Sequence, residues 1–279
     1  MRRLVIFLIV LVVTTAAFAQ SAANSADPSA ARRHALLKAQ VRVSEIQNAL
    51  KRANLDGWLF FDFRGSDILI PRILDSGRMS GTRRWFYYIP SSGEPVKIVH
   101  SIEPGQLDSL PGRKLIYREW QLLKSQVGKA LFPNGKPKTA LKIAMEYSPN
   151  NDIPYIARVD AGTIEMVRSL GVKVESSADL VQQFEAVWTP EQLAMHTEAA
   201  TKMQKVILET FADIKRRINA KIPTTENDVQ QFMVKRYAEV GLNPSPMDVS
   251  VNANAASPHY FPRPGQGAPI TRGDLVLID

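Results

Sequence analysis

Residues 251–260 read VNANAASPHY, and this segment points most directly to the fold of the second half of the chain. It follows a predicted strand over 248–252, is rich in small residues, and places Pro258 directly before His259. Small residues let a backbone approach a ligand closely, and a proline restricts the residue before it. Such a loop can present one imidazole to a pocket, although the pattern alone favours a structural histidine.

The segment RGDLVLID over 272–279 predicts a turn, then a buried strand with a carboxylate at its end. An acidic side chain directly after four aliphatic residues must lie at the rim of a sheet or be paired, because burying a charge is costly. A metal ion is one partner that would stabilise Asp279 there. Alone, the segment favours an ordinary strand that ends in an aspartate.

Two helices with clear start signals precede these segments. The sequence TPEQ at 189–192 combines an N-cap threonine, a proline at the first helical position and a capping-box glutamine. This helix is predicted to reach about residue 219. A second helix is predicted to open at Thr225, with Asp228 in a weaker capping box, and to close at Gly241.

The upstream half alternates between strand and helix patterns. The runs WLFFDF at 58–63 and RRWFYYI at 83–89 are apolar and aromatic, and a turn cluster at 90–95 joins the second run to a strand at 96–100 as a hairpin. Further strands and helices alternate up to a boundary near 187–190. This half is therefore predicted to be an α/β domain built on a mixed sheet.

Together these pieces resemble the creatinase, aminopeptidase P and prolidase group of pita-bread hydrolases. The matching segments, in family order and separation, are WTPEQL at 188–193, TENDVQQFMVKRYAEVGL at 225–242, NANAASPHY at 252–260 and RGDLVLID at 272–279. The last two are the specific ones. The stretch WLFFDFRGSD at 58–67 resembles the smaller N-terminal domain of the family, so the resemblance covers the chain from about residue 36 onward.

The resemblance implies two domains. Residues 36–187 would form the creatinase-type N-terminal domain, an α/β domain with a mixed sheet. Residues 188–279 would form the start of an α+β pita-bread catalytic domain that is incomplete in this sequence.

The resemblance also implies a chemistry, that of an Xaa-Pro metalloaminopeptidase or dipeptidase. Asp279 matches the first of five ligands of a site for two divalent metal ions, manganese, cobalt or zinc. His259 matches the active-site histidine, which contacts the substrate or the reaction intermediate and binds no metal. The other four ligands would lie downstream, so the sequence as given is expected to be an inactive fragment.

The expected partner is a peptide substrate, and the family often forms the mouth of its site across a homodimer. Asp62, Arg64 and Asp67 could contribute charge at that mouth, while a structural salt-bridge role is equally open. Two other functions also stay open. One is a non-catalytic relative that binds peptides or partners, and the other is a metal-free, creatinase-like hydrolase of C–N bonds.

The N-terminus predicts export to the periplasm or the extracellular space. Arg2 and Arg3 precede the apolar run LVIFLIVLVV at 4–13, and Ala17-Phe18-Ala19 supplies a cleavage site, so residues 1–19 form a predicted signal peptide. The run is short for a membrane span, which needs roughly 20 residues, so no stable anchor is expected after cleavage. Residues 20–35 are predicted to be a flexible leader.

Composition excludes several classes of function. The chain has no cysteine, which excludes disulfides, cysteine-based zinc sites and cysteine nucleophiles. The formal net charge is +8, but no run of five or more like charges occurs, so nucleic-acid binding is not predicted. The sequence also lacks the G-x-S-x-G, P-loop, H-E-x-x-H and G-x-G-x-x-G motifs.

Overall fold

A computed structural model of the chain describes residues 28–77, 79, 81–243 and 245–279. These residues belong to two compact units, which divide between Val187 and Trp188. The predicted signal peptide at 1–19 lies outside the described residues. Among the helices of the described part of the chain, none combines the length and apolar character needed to cross a membrane.

The first unit begins with helix α1, Pro28–Arg52. The predicted leader was to extend to residue 35, but residues 28–35 are already helical. The physical reason is local, since the alanines after Pro28 favour the helix and no glycine or second proline interrupts it. Farther along, Val43, Ile46 and Leu50 are buried at helical spacing, so this part of α1 packs on the core.

A six-stranded mixed sheet forms the centre of the first unit. Its strands are β1 Gly57–Asp62, β2 Trp85–Pro90, β3 Val96–His100, β4 Arg113–Tyr117, β5 Lys142–Met145 and β6 Lys173–Ser176, in the spatial order β4-β3-β2-β1-β5-β6. The pairs β1–β2 and β2–β3 are antiparallel, while β3–β4, β1–β5 and β5–β6 are parallel. The predicted mixed sheet and its β2–β3 hairpin are therefore confirmed.

Helices cover both faces of this sheet. Trp58 and Phe60 of β1 point into one core, whereas Leu59 and Phe61 point into the other, because side chains alternate along a strand. The first core also contains residues of α1 and of two helices that the sequence did not predict, α2 Ile70–Ile73 and α5 Ala178–Glu185. The second contains residues of α3 Trp120–Leu131 and α4 Ala161–Arg168.

The second unit consists of α6 Pro190–Asn219, α7 Glu226–Glu239, and the antiparallel strands β7 Val249–Val251 and β8 Val276–Ile278. Both predicted capping boxes are present. The Thr189 hydroxyl accepts the Gln192 N–H (3.2 Å), and the Thr225 hydroxyl accepts the Asp228 N–H (3.3 Å). A core that includes Val206, Met233 and Val249 joins the helices to the ladder, as expected for an α+β unit.

Candidate functional site

The candidate catalytic residue His259 lies in an exposed turn after β7. Residues Asn252–Ala256 form a short 3-10 helix, and the N–H of Tyr260 then donates to the Ser257 carbonyl (3.2 Å). His259 has a φ of 58°, in the left-handed region that non-glycine residues rarely adopt. Its side chain is exposed rather than enclosed. The imidazole is thus accessible to a ligand, and its catalytic role stays a prediction.

The candidate metal ligand Asp279 directly follows β8 and pairs with Asp248, which directly precedes β7. Each backbone N–H donates to the carbonyl of the other residue, both at 2.9 Å. Such a pair in an antiparallel ladder places both side chains on the same face, with Cα atoms about 5.5 Å apart. Two carboxylates therefore lie side by side at the end of the ladder, as the position of Asp279 at a sheet rim predicted.

Asp248 differs from Asp279 in burial. The Asp279 side chain is exposed, whereas the Oδ1 atom of Asp248 is buried and has no hydrogen-bond partner. Burial raises the pKa of Asp248, and the charges of Asp279 and Glu226 raise it further. Sequence reasoning treated Asp248 as the start of a strand and missed this carboxyl group.

The ladder does not by itself bring His259 and Asp279 together. Asp279 pairs with residue 248, while the loop that carries His259 begins at residue 252, where the Asn252 N–H donates to the Leu275 carbonyl (3.0 Å). Positions 248 and 252 are four steps apart along the chain, which corresponds to about 13 Å of strand. Any approach of His259 to Asp279 depends on the path of the loop.

The described residues do not form a metal centre on their own. No group of three or more histidine, aspartate or glutamate side chains within them lies close enough to hold a metal ion. The carboxylates of Asp248 and Asp279 are oxygen donors of the kind that divalent ions take, but two carboxylates do not complete a catalytic dimetal site. The residues present therefore do not fit the implied metal pair, and no reaction step through a metal follows from this chain.

The side chain of Glu226, the first residue of α7, accepts four hydrogen bonds. It is fully buried, and its Oε1 atom accepts hydrogen bonds from the Val251 N–H (2.7 Å) and the Asn254 amide (3.0 Å). Its Oε2 atom accepts from the Tyr260 hydroxyl and the Ala268 N–H (2.7 Å). Every one of these donors belongs to the segment that carries His259.

Burial and hydrogen bonding shift the pKa of Glu226 in opposite directions. Burial, the largest single influence, raises its pKa, but the hydrogen bonds from Tyr260, Asn254, Ala268 and Val251 together outweigh burial and lower it. The carboxylate is therefore held in its charged form. Sequence reasoning missed Glu226 because a glutamate in the first turn of a helix is ordinarily a solvated, dipole-stabilised acid.

The other three histidines have environments that differ from that of His259. One nitrogen of the His100 ring lies 2.8 Å from the Arg118 carbonyl, and the other accepts the Ile102 N–H (3.1 Å), so this histidine is structural. His34 is exposed on α1. His196 is exposed on α6, with its ring 4.4 Å from the ring of Trp188.

Asp62, Arg64 and Asp67 lie at the turn that follows β1. Asp62 is buried and accepts the N–H groups of Gly65 and Asp67, both at 2.9 Å, so its role is to close the turn by hydrogen bonds rather than by a salt bridge. Arg64 has a φ of 62°, with its guanidinium over the ring of Phe63. A contribution of these residues to a substrate entrance stays a prediction.

Asp67 also belongs to a buried pair of carboxyl groups in the first unit. Its Oδ1 atom accepts the Leu69 N–H (2.9 Å), but its Oδ2 atom has no partner. Glu146 is fully buried, accepts the indole N–H of Trp58 (3.0 Å) on one oxygen, and has no partner on the other. Burial raises the pKa of Asp67 to about 6, and burial and then the charge of Asp67 raise that of Glu146.

Comparisons with known proteins address the fold. No protein-family model matches the sequence, and no curated protein matches it. The crystal structure of dipeptidase PepE from Mycobacterium ulcerans matches with a TM-score of 0.54 at 17% identity, and the match covers 86% of this chain and 59% of the dipeptidase. The chain thus spans about three fifths of the length of that enzyme.

Other solved structures match more distantly. Recombinant prolidase from Thermococcus sibiricus has a TM-score of 0.48 at 13% identity, over 85% of this chain and 60% of the prolidase. An Xaa-Pro dipeptidase from Bacillus anthracis has a TM-score of 0.48 at 16% identity, over 86% of this chain and 60% of the dipeptidase. Over most of the length of this chain, its fold is therefore similar to that of the dipeptidase from Mycobacterium ulcerans.

Proposed function

We propose that this chain is part of an exported peptidase that hydrolyses peptide bonds next to proline. The observation that carries the proposal is the β7–β8 ladder, which sets Asp279 beside Asp248 within a fold shared with a dipeptidase. The chain covers 59% of that dipeptidase, so the proposal concerns the activity of a protein of its full length. Preference for proline rests on the resemblance of the His259 and Asp279 segments to Xaa-Pro peptidases.

Each candidate residue has a role that its environment supports. The exposed carboxylate of Asp279 is an oxygen donor of the kind that divalent ions take, and the resemblance gives it the role of one metal ligand in a protein of full length. The exposed imidazole of His259 would contact the peptide substrate and orient it through a hydrogen bond. Asp248, beside Asp279, has a raised pKa through burial and through the charges of Asp279 and Glu226, so a bound cation would favour ionisation of this second carboxyl group.

The test is an activity assay of the full-length protein on paired substrates. Xaa-Pro peptides and their Xaa-Ala counterparts would be incubated with the enzyme after loading with manganese, cobalt or zinc. We expect cleavage of the proline peptides, with kcat/KM lowered at least about 10²-fold in Asp279→Asn and in His259→Ala. His34→Ala, an exposed histidine in the first unit, is the matched control and should retain full activity.

Two results would favour the alternative functions. If the metal-loaded protein bound Xaa-Pro peptides and left them intact, a non-catalytic binding protein on the same fold would be the better account. If hydrolysis persisted in a strong chelator, a metal-free reaction of the creatinase type would be the better account. Loss of cleavage on chelation and its return with added metal would support the peptidase.

Export and assembly are separate parts of the proposal. We propose removal of residues 1–19, which leaves a mature protein that begins at Gln20, in the periplasm or outside the cell. N-terminal sequencing of the protein from the exported fraction would test this, and a retained Met1 would contradict it. A homodimer, proposed because the family often completes its site across two subunits, is tested by sedimentation equilibrium.

A further inference from the structure

The segment Val251–Ala268, here called the His259 loop, leaves β7 and returns to the start of α7. Its contacts with α7 are concentrated on one residue, Glu226, which is 0% exposed. The four donors to the Glu226 carboxylate come from residues 251, 254, 260 and 268. One side chain therefore holds the beginning, the middle and the end of the loop.

Backbone contacts also hold the end of the loop against the start of α7. The Glu226 N–H donates to the Ala268 carbonyl (3.0 Å), and Thr225 forms an isolated β-bridge with Pro269. Gly267 lies so close that a Cβ atom there would be 2.6 Å from the backbone nitrogen of Asn227. The first turn of α7 is thus the surface on which the loop is built.

The chemistry of the four contacts requires an ionised carboxylate. All four partners are hydrogen-bond donors. Two of them are backbone N–H groups: that of Val251 donates to Oε1, and that of Ala268 donates to Oε2. A glutamine at position 226 would aim its NH₂ group at one of these N–H groups in either orientation of the amide. No rotation of a neutral amide can satisfy both, because a backbone N–H cannot accept a hydrogen bond.

The contact nearest to His259 is the hydroxyl of Tyr260, the next residue along the chain. His259 itself has a φ of 58°, and a backbone in this region persists only when its surroundings hold it. Fixing Tyr260 on one side and Asn254 on the other restricts the path through His259. The contacts of Glu226 thus constrain the loop on both sides of His259.

We infer that Glu226 is a positioning residue, which sets the place and orientation of the His259 imidazole through Tyr260 and Asn254. Nothing in this role requires Glu226 to touch a substrate. A catalytic role for His259 rests on the proposed function. The contacts by which Glu226 holds the His259 loop do not depend on it.

The test is NMR spectroscopy of the four histidine side chains in the 279-residue chain. His34, His100 and His196 serve as internal references for His259, since two belong to the first unit and one to α6. In Glu226→Gln and in Tyr260→Phe, we expect the ring signals of His259 to shift and broaden while the other three stay in place. Tyr260→Phe removes one donor of the four, so its change should be the smaller one.

Glu191→Gln is the matched control, because it neutralises an exposed acid in the first turn of the other capped helix. It should leave all four histidine signals unchanged. Movement of the His196 signal would reveal that Glu226→Gln unfolds the second unit. In that case, Tyr260→Phe and Asn254→Ala test the positioning role instead. Unchanged His259 signals in folded variants that lack these contacts would overturn the inference.

A kinetic experiment on the full-length protein separates this inference from the proposed function. If the protein cleaves Xaa-Pro peptides, Tyr260→Phe should lower kcat by about 10-fold to 10²-fold through misplacement of His259, with little change in KM. If the protein cleaves no peptide but the His259 signals still respond, the positioning role stands and the peptidase does not. An active Tyr260→Phe enzyme with an unaltered kcat would contradict the positioning role alone.

Discussion

Two buried carboxyl sites of this chain, one in each unit, differ in how many hydrogen bonds their oxygens accept. In the first unit, Asp67 and Glu146 each have one oxygen without a hydrogen-bond partner, and burial raises the pKa of both. In the second unit, Glu226 is equally buried, but four donors lower its pKa. Neighbouring carboxylate charges add to the effect of burial at Asp67 and Glu146, whereas the four hydrogen bonds to Glu226 outweigh burial and favour its charged form.

This difference has a functional meaning. A carboxyl group that lacks donors tends to hold a proton and adds little to the definition of its surroundings. A carboxylate with four donors fixes each of them and can arrange a loop, as Glu226 does for the loop that carries His259. The charged Glu226 therefore helps to build the candidate site of the second unit. Asp67 and Glu146 are instead titratable groups in the core of the first unit.

The largest effect is expected from Glu226→Ala. Four donors would lose a buried charged acceptor, which costs about 3–5 kcal/mol of stability in the second unit. Hydrogen–deuterium exchange with mass spectrometry measures this directly, and the amides of α7 and β7 should exchange at least about 10²-fold faster. Peptides of the first unit provide the internal control and should exchange as in the wild type.

Asp67→Asn should increase stability, whereas Glu226→Ala should decrease it. Because the pKa of Asp67 rises from 3.8 to about 6, ionisation at pH 8 opposes folding, and removal of the charge should stabilise the first unit by about 2 kcal/mol. Urea unfolding monitored by fluorescence of the buried Trp58 and Trp85 measures the change at pH 8. At pH 4, where Asp67 is largely protonated in the folded protein, the gain should nearly vanish.

Asp62→Asn is the matched control for that variant. Asp62 is also buried and only five residues away, but both of its oxygens accept hydrogen bonds from the turn. Its neutralisation should destabilise the first unit at pH 8. If both substitutions changed stability in the same direction, the number of donors would not explain the difference between the two carboxyl sites.

The pH dependence of the two units should differ in direction. The stabilising contribution of Asp67 is fully present below about pH 4 and is lost as the pH rises through about 6, because the folded state binds the extra proton. The pKa of Glu226 is lowered, so its contribution is present above its unfolded pKa and is lost as the pH falls through the folded value. Exchange rates of the two units between about pH 3 and pH 7 test these opposite slopes, after correction for intrinsic exchange.

The smallest effect is expected from Thr225→Ala. This substitution removes the N-cap of α7 directly before Glu226 and should cost about 1 kcal/mol. Thr189→Ala, which removes the equivalent cap of α6, should cost a similar amount but leave the His259 loop unaffected. Thermal unfolding gives the two costs, and the His259 NMR signal distinguishes their local consequences.

Local signals in the sequence predicted much of the fold. The capping boxes at Thr189 and Thr225 involve residues only three positions apart, and the β2–β3 hairpin joins neighbouring strands, so each was readable from a short window. Helix α5 was not predicted, since it has eight residues and its buried Leu180 and Val181 are adjacent rather than periodic. Residues 28–35 were assigned to a flexible leader because their helix carries no apolar pattern there.

The buried carboxyl groups could not be predicted in the same way. The donors to Glu226 lie between 25 and 42 residues downstream, and no local pattern connects them to a first-turn glutamate. Glu146 directly follows β5, and its burial depends on parts of the chain that are distant in sequence, such as Trp58, whose indole N–H it accepts. The His259 and Asp279 segments were recognisable by composition and order, whereas the carboxyl group of Asp248 became evident only through its pairing with Asp279.

The most direct test of this account is a carboxyl ¹³C NMR titration of Asp67 and Glu226 in the same sample. We expect Asp67 to titrate at about pH 6 and Glu226 to titrate below its ordinary value of 4.5. A Glu226 midpoint above 4.5 would show that burial outweighs the four hydrogen bonds, and it would contradict the claim that these bonds hold an ionised carboxylate under the His259 loop.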